Sequence, residues 1–257
     1  MNNELRIIPI TGIGEIIPGA DLGRLIYDAL HQQQLSLYNG DILVVTQKIV
    51  SKAENRLVNL DEIEPSPFAR TVAQQGRKDA QHVEVVLRES KRVVRMDHGV
   101  FISETQHGFI CANAGVDESN IGGQRRVALL PVDPDRSAQT IRTRLQQLVS
   151  SQYDKYIDLA VIITDTWGRP WRNGQVNMAI GIAGMAAIAD YRGQYDSYGY
   201  LMQASAVAVA DELAAAAELV MGKIDRVPVA LIRGYQYQPA QGDIHTLLRD
   251  SATDMFR

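Results

Sequence analysis

The chain has 257 residues, 46% hydrophobic and 22% charged, with a formal net charge of -4. That length and apolar content bury a sizeable core as one large domain or two intimate lobes. The acidic balance argues against a nucleic-acid or anionic-membrane partner, which wants a clustered basic surface.

The most basic short run, residues 88–95, is small and interrupted by Glu89. A single cysteine, Cys111, excludes an internal disulfide and fits a reducing compartment. Residues 1–6 are polar and lack the apolar stretch of a signal peptide, and no apolar run approaches the ~20 residues that span a bilayer. The expected location is cytoplasmic.

In chain order, residues 4–10 read as a first strand. Asp21 then caps a helix whose Leu22, Leu25, Ile26 and Leu30 follow helical spacing. Residues 41–45 (DILVV) form a second strand, entered from a Tyr38-Asn39-Gly40 turn. Residues 64–67 read as a loop, 83–87 and 93–95 as short runs of ambiguous type, and 109–113 as another strand. After a loop at 131–134, Ser137 caps a helix with Ile141, Leu145 and Leu148 on one stripe. Residues 159–164 (LAVIIT) are the strongest strand, continuously apolar and so suited to burial on both faces. An alanine-rich helix at about 205–221 stops at Gly222-Lys223, and 227–232 form the last strand. No repeat or long linker divides the chain, and strands mixed with helices in no strict βαβ rhythm predict an α/β or α+β fold.

Chemistry concentrates where strands end. Asp165 and Thr166 sit at the mouth of the 159–164 strand, a carboxylate beside a hydroxyl that suits a hard cation such as Mg²⁺ or Mn²⁺. Arg169 and Arg172 follow, and arginine forks bind phosphate and carboxylate groups bidentately. The alternative is an ordinary aspartate turn with surface arginines. Residues 111–120 (CANAGVDESN) place Asp117, Glu118, Ser119 and Asn120 together, oxygen-rich but without calcium-loop spacing, and so equally a polar turn. In 47–52 (QKIVSK), Gln47 follows the strand and Lys48 and Lys52, four apart, either face a phosphate together or are solvated. There is no GxxxxGK[ST] loop and no GxGxxG after a strand. The five histidines show no metal-ligand spacing, and Cys111 reads as a buried structural thiol.

Together these blocks resemble the coenzyme F420-0:γ-glutamyl ligase family. The resemblance is carried, in order, by 40–53 (GDILVVTQKIVSKA), 111–120, 129–135 (LLPVDPD), 162–174, 179–184 (AIGIAG), 208–223 (AVADELAAAAELVMGK) and 228–234 (PVALIRG). It implies a single module over 1–257 with a two-lobed α+β fold of mixed sheets and flanking helices, assembled as an intertwined homodimer. It implies a ligase that uses GTP and Mg²⁺ or Mn²⁺ to phosphorylate the carboxylate of F420-0, which the amine of L-glutamate then attacks. Carried over by position, Asp117 and Asp165 look like ligands of one metal ion and Thr166 of another. Asn120, Lys52 and the turn Thr11, Gly12, Ile13 and Gly14 look like nucleotide contacts, with Gln47 and Lys48 beside them. Charge alone makes Arg169 and Arg172 candidates for the acyl phosphate or the substrate carboxylates.

Three departures bear on the substrate. Val176-Asn177 stands where the family commonly has Thr-Asp, Ser205-Ala206 where it has Thr-Glu, and Gly14 where a proline is frequent. Loss of two carboxylates leaves open a paralogue acting on a different carboxylate acceptor, or a non-catalytic relative that binds nucleotide or flavin.

Overall fold

A computed structural model describes residues 4–97, 99–119, 121 and 125–255. The chain opens with β1 (Arg6–Ile10), α1 (Leu22–Gln32), β2 (Asp41–Thr46) and α2 (Gln47–Ala53). Next come β3 (Leu57–Asn59), α3 (Pro67–Gly76), α4 (Ala80–Glu89), β4 (Ser90–Asp97), β5 (Val100–Thr105), β6 (Ile110–Ala112) and β7 (Arg126–Ala128). The last part holds α5 (Pro134–Tyr153), β8 (Leu159–Arg169), β9 (Arg172–Ala183), β10 (Ala189–Asp190), β11 (Ala206–Val207), α6 (Val209–Met221) and β12 (Val229–Arg233). The class is α+β, as the sequence predicts.

The central sheet runs β1-β12-β2-β8-β9. Only β2 and β8 pair in parallel, Asp41 opposite Leu159 through Thr46 opposite Thr164, while the other neighbours are antiparallel. Residues 159–164 are buried throughout, as a strand covered on both faces must be. Helices α1, α5 and α6 supply much of that cover, and their Ile26, Leu30, Leu145, Leu213 and Ala217 join the main core. A second cluster of buried apolar side chains gathers Val72, Val83, Val86, Phe101, Val116 and Val127 between α3, α4 and the small sheets β4-β5-β6 and β3-β7.

Several local assignments change. Residues 83–87 lie inside α4, because the Asp79 carboxylate accepts from the Gln81 and His82 N–H groups and starts a helix before them. Residues 64–67 lead directly into α3, capped by Ser66 with Pro67 in its first turn. The long helix starts at Asp133, whose side chain accepts from Arg136 N at 3.0 Å, four residues before Ser137. Gly181 of β9 permits that start to lie against the sheet, since a Cβ there would fall 2.4 Å from Pro134 O. Asp135 then accepts from Ile182 N at 2.7 Å and from Ile244 N at 3.0 Å.

Candidate active site

Parallel pairing of β2 and β8 brings their carboxyl ends out side by side at one edge of the sheet. From β2 the chain turns into α2 through Thr46, Gln47 and Lys48, and β8 delivers Thr164, Asp165 and Thr166 beside them. A cleft of about 620 Å³ opens there, closed on its other sides by Ile13–Ile16, Asp117, Glu218 and the stretch from Gly222 to Pro228.

Asp165 is half-buried at the cleft wall. Burial pushes its carboxyl up, opposed by donors from Thr166 N at 2.8 Å and Trp167 Nε1 at 2.9 Å. Trp167 is itself braced by Phe109, whose ring centroid lies 5.3 Å away. Asp117 comes from the second core, where its backbone exchanges two hydrogen bonds with Ala128. Burial pushes the Asp117 carboxyl up too, but Lys48 Nζ at 2.8 Å and Ser119 N at 2.7 Å outweigh it and hold it below the usual range. One carboxylate is thus already compensated by a lysine, while the other is half-buried and short of positive charge.

Asn177 comes to face Thr166 because of a bulge in β9. The register moves from Ile163 opposite Gly181 to Thr164 opposite Ala179, so Ile180 is the extra residue. Such a bulge re-aims every side chain beyond it on its strand. The Ala179 N–H near the bulge is satisfied by Asp211 of α6 at 2.9 Å. Beyond it Thr166 pairs with Asn177, and the Thr166 hydroxyl donates to Asn177 Oδ1 at 2.6 Å. Asn177 Nδ2 in turn donates to Glu218 Oε2 at 2.7 Å, and Lys223 donates to the Thr166 oxygen.

Gln47 is buried, its Oε1 accepting from Ser51 Oγ at 2.7 Å, while its Nε2 is buried with no partner among the described residues. Lys52 is buried against the glutamate of Glu15, and both line the cleft. Ile13 and Gly14 line it as well. Thr11 and Gly12 do not, and the Thr11 N–H is taken by Gln33 Oε1 at 2.7 Å. Asn120 lies outside the described residues. Arg169 and Arg172 sit at the tip of the β8-β9 hairpin, outside the cleft lining. Four residues of extended strand carry Arg169 about 13 Å past Asp165. Of the departures, Val176-Asn177 brings Asn177 to the cleft, whereas Ser205 and Ala206 lie away from it. Cys111 is pushed up to about 12 by burial with Asp165 nearby, which makes it the inert structural thiol the sequence predicts.

Glu15, Glu218, Lys223 and Arg226 are charged cleft residues that sequence reasoning did not assign to a site. The stop signal at Gly222-Lys223 marked the neighbourhood of the last three, though nothing in it announced a ligand. Carboxylate, hydroxyl and amide oxygens set among lysines form a donor set that fits a hard divalent cation bound to a phosphate group.

A mixed α+β sheet carries an acid-and-lysine cleft, and the proteins the chain matches along its length make it an enzyme of the ligase class. The F420-0:gamma-glutamyl ligase family model matches residues 12–234, and the chain belongs to that family. It is 44% identical to the coenzyme F420:L-glutamate ligase of Methanothermobacter thermautotrophicus over 256 residues, covering 98% of this chain and 99% of that one. The enzyme of the same description from Methanopyrus kandleri is 43% identical over 258 residues, covering 98% of each chain. That from Methanocaldococcus jannaschii is 40% identical over 225 residues, 87% of each. Among the described residues no helix is long and apolar enough to cross a membrane.

Proposed function

We propose that the protein is a coenzyme F420-0:L-glutamate ligase that uses GTP and a divalent ion, Mg²⁺ or Mn²⁺. Support comes from relatives of that description along nearly the whole chain. The single observation that carries the chemistry is the meeting of Asp117, Asp165 and Thr166 with Lys48 and Lys52 in one cleft.

In this reading the γ-phosphoryl group of GTP passes to a carboxylate oxygen of F420-0. A new P–O bond forms as the bridge to the β-phosphate breaks, and GDP leaves. The neutral amine of L-glutamate then attacks the acyl carbon. The C–O bond to the phosphate breaks, its electron pair leaves with inorganic phosphate, and the amine proton goes with it. Asp117 and Asp165 would hold one ion and Thr166 another, supplying charge on the phosphate oxygens. Lys48 and Lys52 bind and orient the phosphates, and Gln47 Nε2 offers a donor to an acceptor oxygen. Lys223 and Arg226, which line the cleft, take the anion-binding role that charge assigned to Arg169 and Arg172. The chain's work is positioning and charge neutralisation. The reading carries with it a homodimer, which sedimentation equilibrium measures directly.

Mass spectrometry of F420-0 incubated with the protein, L-glutamate, GTP and Mn²⁺ tests it. A gain of one or more glutamyl units is expected. Asn177 in the cleft, where the family commonly carries an aspartate, favours a second reading with another carboxylate acceptor. GTP cleavage stimulated by a different acid, with F420-0 unchanged, would select that second reading and overturn the first.

A further inference from the structure

Asn177 is a cleft side chain whose carbonyl and amide ends are both engaged by other cleft residues. It is 2% exposed, on β9, directly across the strand pair from Thr166. Its Oδ1 takes the Thr166 hydroxyl proton at 2.6 Å and its Nδ2 donates to Glu218 Oε2 at 2.7 Å. The direction of each bond is fixed. A carboxylate on α6 only accepts, so the amide must present its NH₂ to Glu218 and its carbonyl to Thr166. With its one proton committed to Asn177, the Thr166 hydroxyl has only lone pairs left to present. One of them receives Lys223, whose ammonium is also 3.7 Å from Glu218 Oε1.

We infer that Asn177, anchored by Glu218, is a positioning residue that turns the Thr166 oxygen into a fixed acceptor for a cation. The inference rests on the metal reading above and deepens it. It assigns Glu218 the work of an anchor acting through Asn177. Without the anchor the amide is free to turn over, and an NH₂ facing Thr166 would rotate the hydroxyl proton toward the cleft. Carbonyl or hydroxyl alignment of this kind around a ligating oxygen governs metal affinity by about 10–100-fold.

The test measures Mn²⁺ binding to the whole chain without nucleotide, from the paramagnetic signal of free Mn²⁺, alongside product formation. Asn177→Ala and Glu218→Ala are expected to weaken Mn²⁺ binding about tenfold or more. Glu218→Gln offers a donor as well as an acceptor, so the Asn177 amide is no longer held one way, and binding is expected to fall between the wild type and Glu218→Ala. Thermal melting of each variant separates this from unfolding. A residue that merely fills space would leave Mn²⁺ affinity unmoved. Wild-type affinity in Asn177→Ala overturns the inference alone, and so does wild-type affinity in Glu218→Ala. A wild-type chain that binds no Mn²⁺ overturns the metal reading and the inference with it, even where F420-0 is glutamylated.

Discussion

A carboxylate drawn out of water keeps its charge only while donors or cations face it, and burying one without them is costly. Asp165 has two donors, Thr166 N and Trp167 Nε1, and burial still pushes its carboxyl up. Asp165→Asn removes the charge and keeps the shape. We expect product formation to fall at least about 100-fold, the upper range for a disturbed metal site. Melting temperature should change little, because relief of the half-buried charge is offset where the asparagine turns its NH₂ toward one of the two N–H donors. A glutamylation assay and a thermal melt of the same preparation check both halves, and retained turnover would remove Asp165 from the metal set. At this scale residue type was informative. An aspartate-threonine pair after an apolar strand announces oxygen ligands from composition alone. Glu218 carried no such sign, since it sits on an alanine-rich helix that reads as packing, and its contact with Asn177 spans 41 residues.

Elements obey local rules until tertiary pairing overrides them. Residues 83–87 alternate too little to separate helix from strand, and the Asp79 cap decides for α4. The β4-β5 pairing beyond it is held partly by charge. Glu104 of β5 accepts from Arg92 Nε at 2.7 Å and lies 3.3 Å from Lys91. Burial pushes the Glu104 carboxyl up, but the two cations outweigh it and leave it below its ordinary 4.5. A folded value below the unfolded one adds stability that is fully present above about pH 4.5 and is lost as pH falls through the folded value. Glu104→Gln should therefore lower the urea midpoint at pH 7. The gap to the wild type should close as pH falls through the folded value, where the Glu104 carboxyl takes a proton and becomes neutral like the glutamine. An unchanged gap in acid would contradict the ion-pair account. The bulge at Ile180 of β9 belongs to this scale too, for it decides which face Asn177 presents to Thr166 across the strand pair.

Across the whole molecule, the cleft depends on how the two cores and the long helix are held. Asp117 rides on the second cluster and Asp165 on the central sheet, so the cleft needs both. Phe101 is fully buried in that second cluster. Phe101→Ala should cost about 3–5 kcal/mol by urea denaturation, through lost burial and the cavity left behind. Gly181→Ala tests the docking of α5 on β9. Its Cβ would fall 2.4 Å from backbone, which cannot rotate away as a side chain can. About 1–3 kcal/mol of destabilisation is expected by the same measurement, as for other overpacked contacts.

The order of the main strands, the α1 cap at Asp21 and the end of α6 at Gly222 were legible in the sequence. Each depends on interactions within a few residues, namely periodicity, side-chain caps and glycine stops. The same local logic put Asp165, Thr166 and Lys48 where continuously apolar segments end, although β8 itself runs on to Arg169. What only the tertiary structure decided is which of those ends meet. Parallel pairing of β2 with β8 sets Lys48 beside Asp165, and a chain excursion through the second core returns Asp117 to them. Extension of β8 and β9 into a hairpin carries Arg169 and Arg172 to its tip, although in sequence they stand only 4 and 7 residues past Asp165. Sequence distance measures the covalent path, whereas a binding cleft is assembled by register, bulge and packing between segments far apart along it.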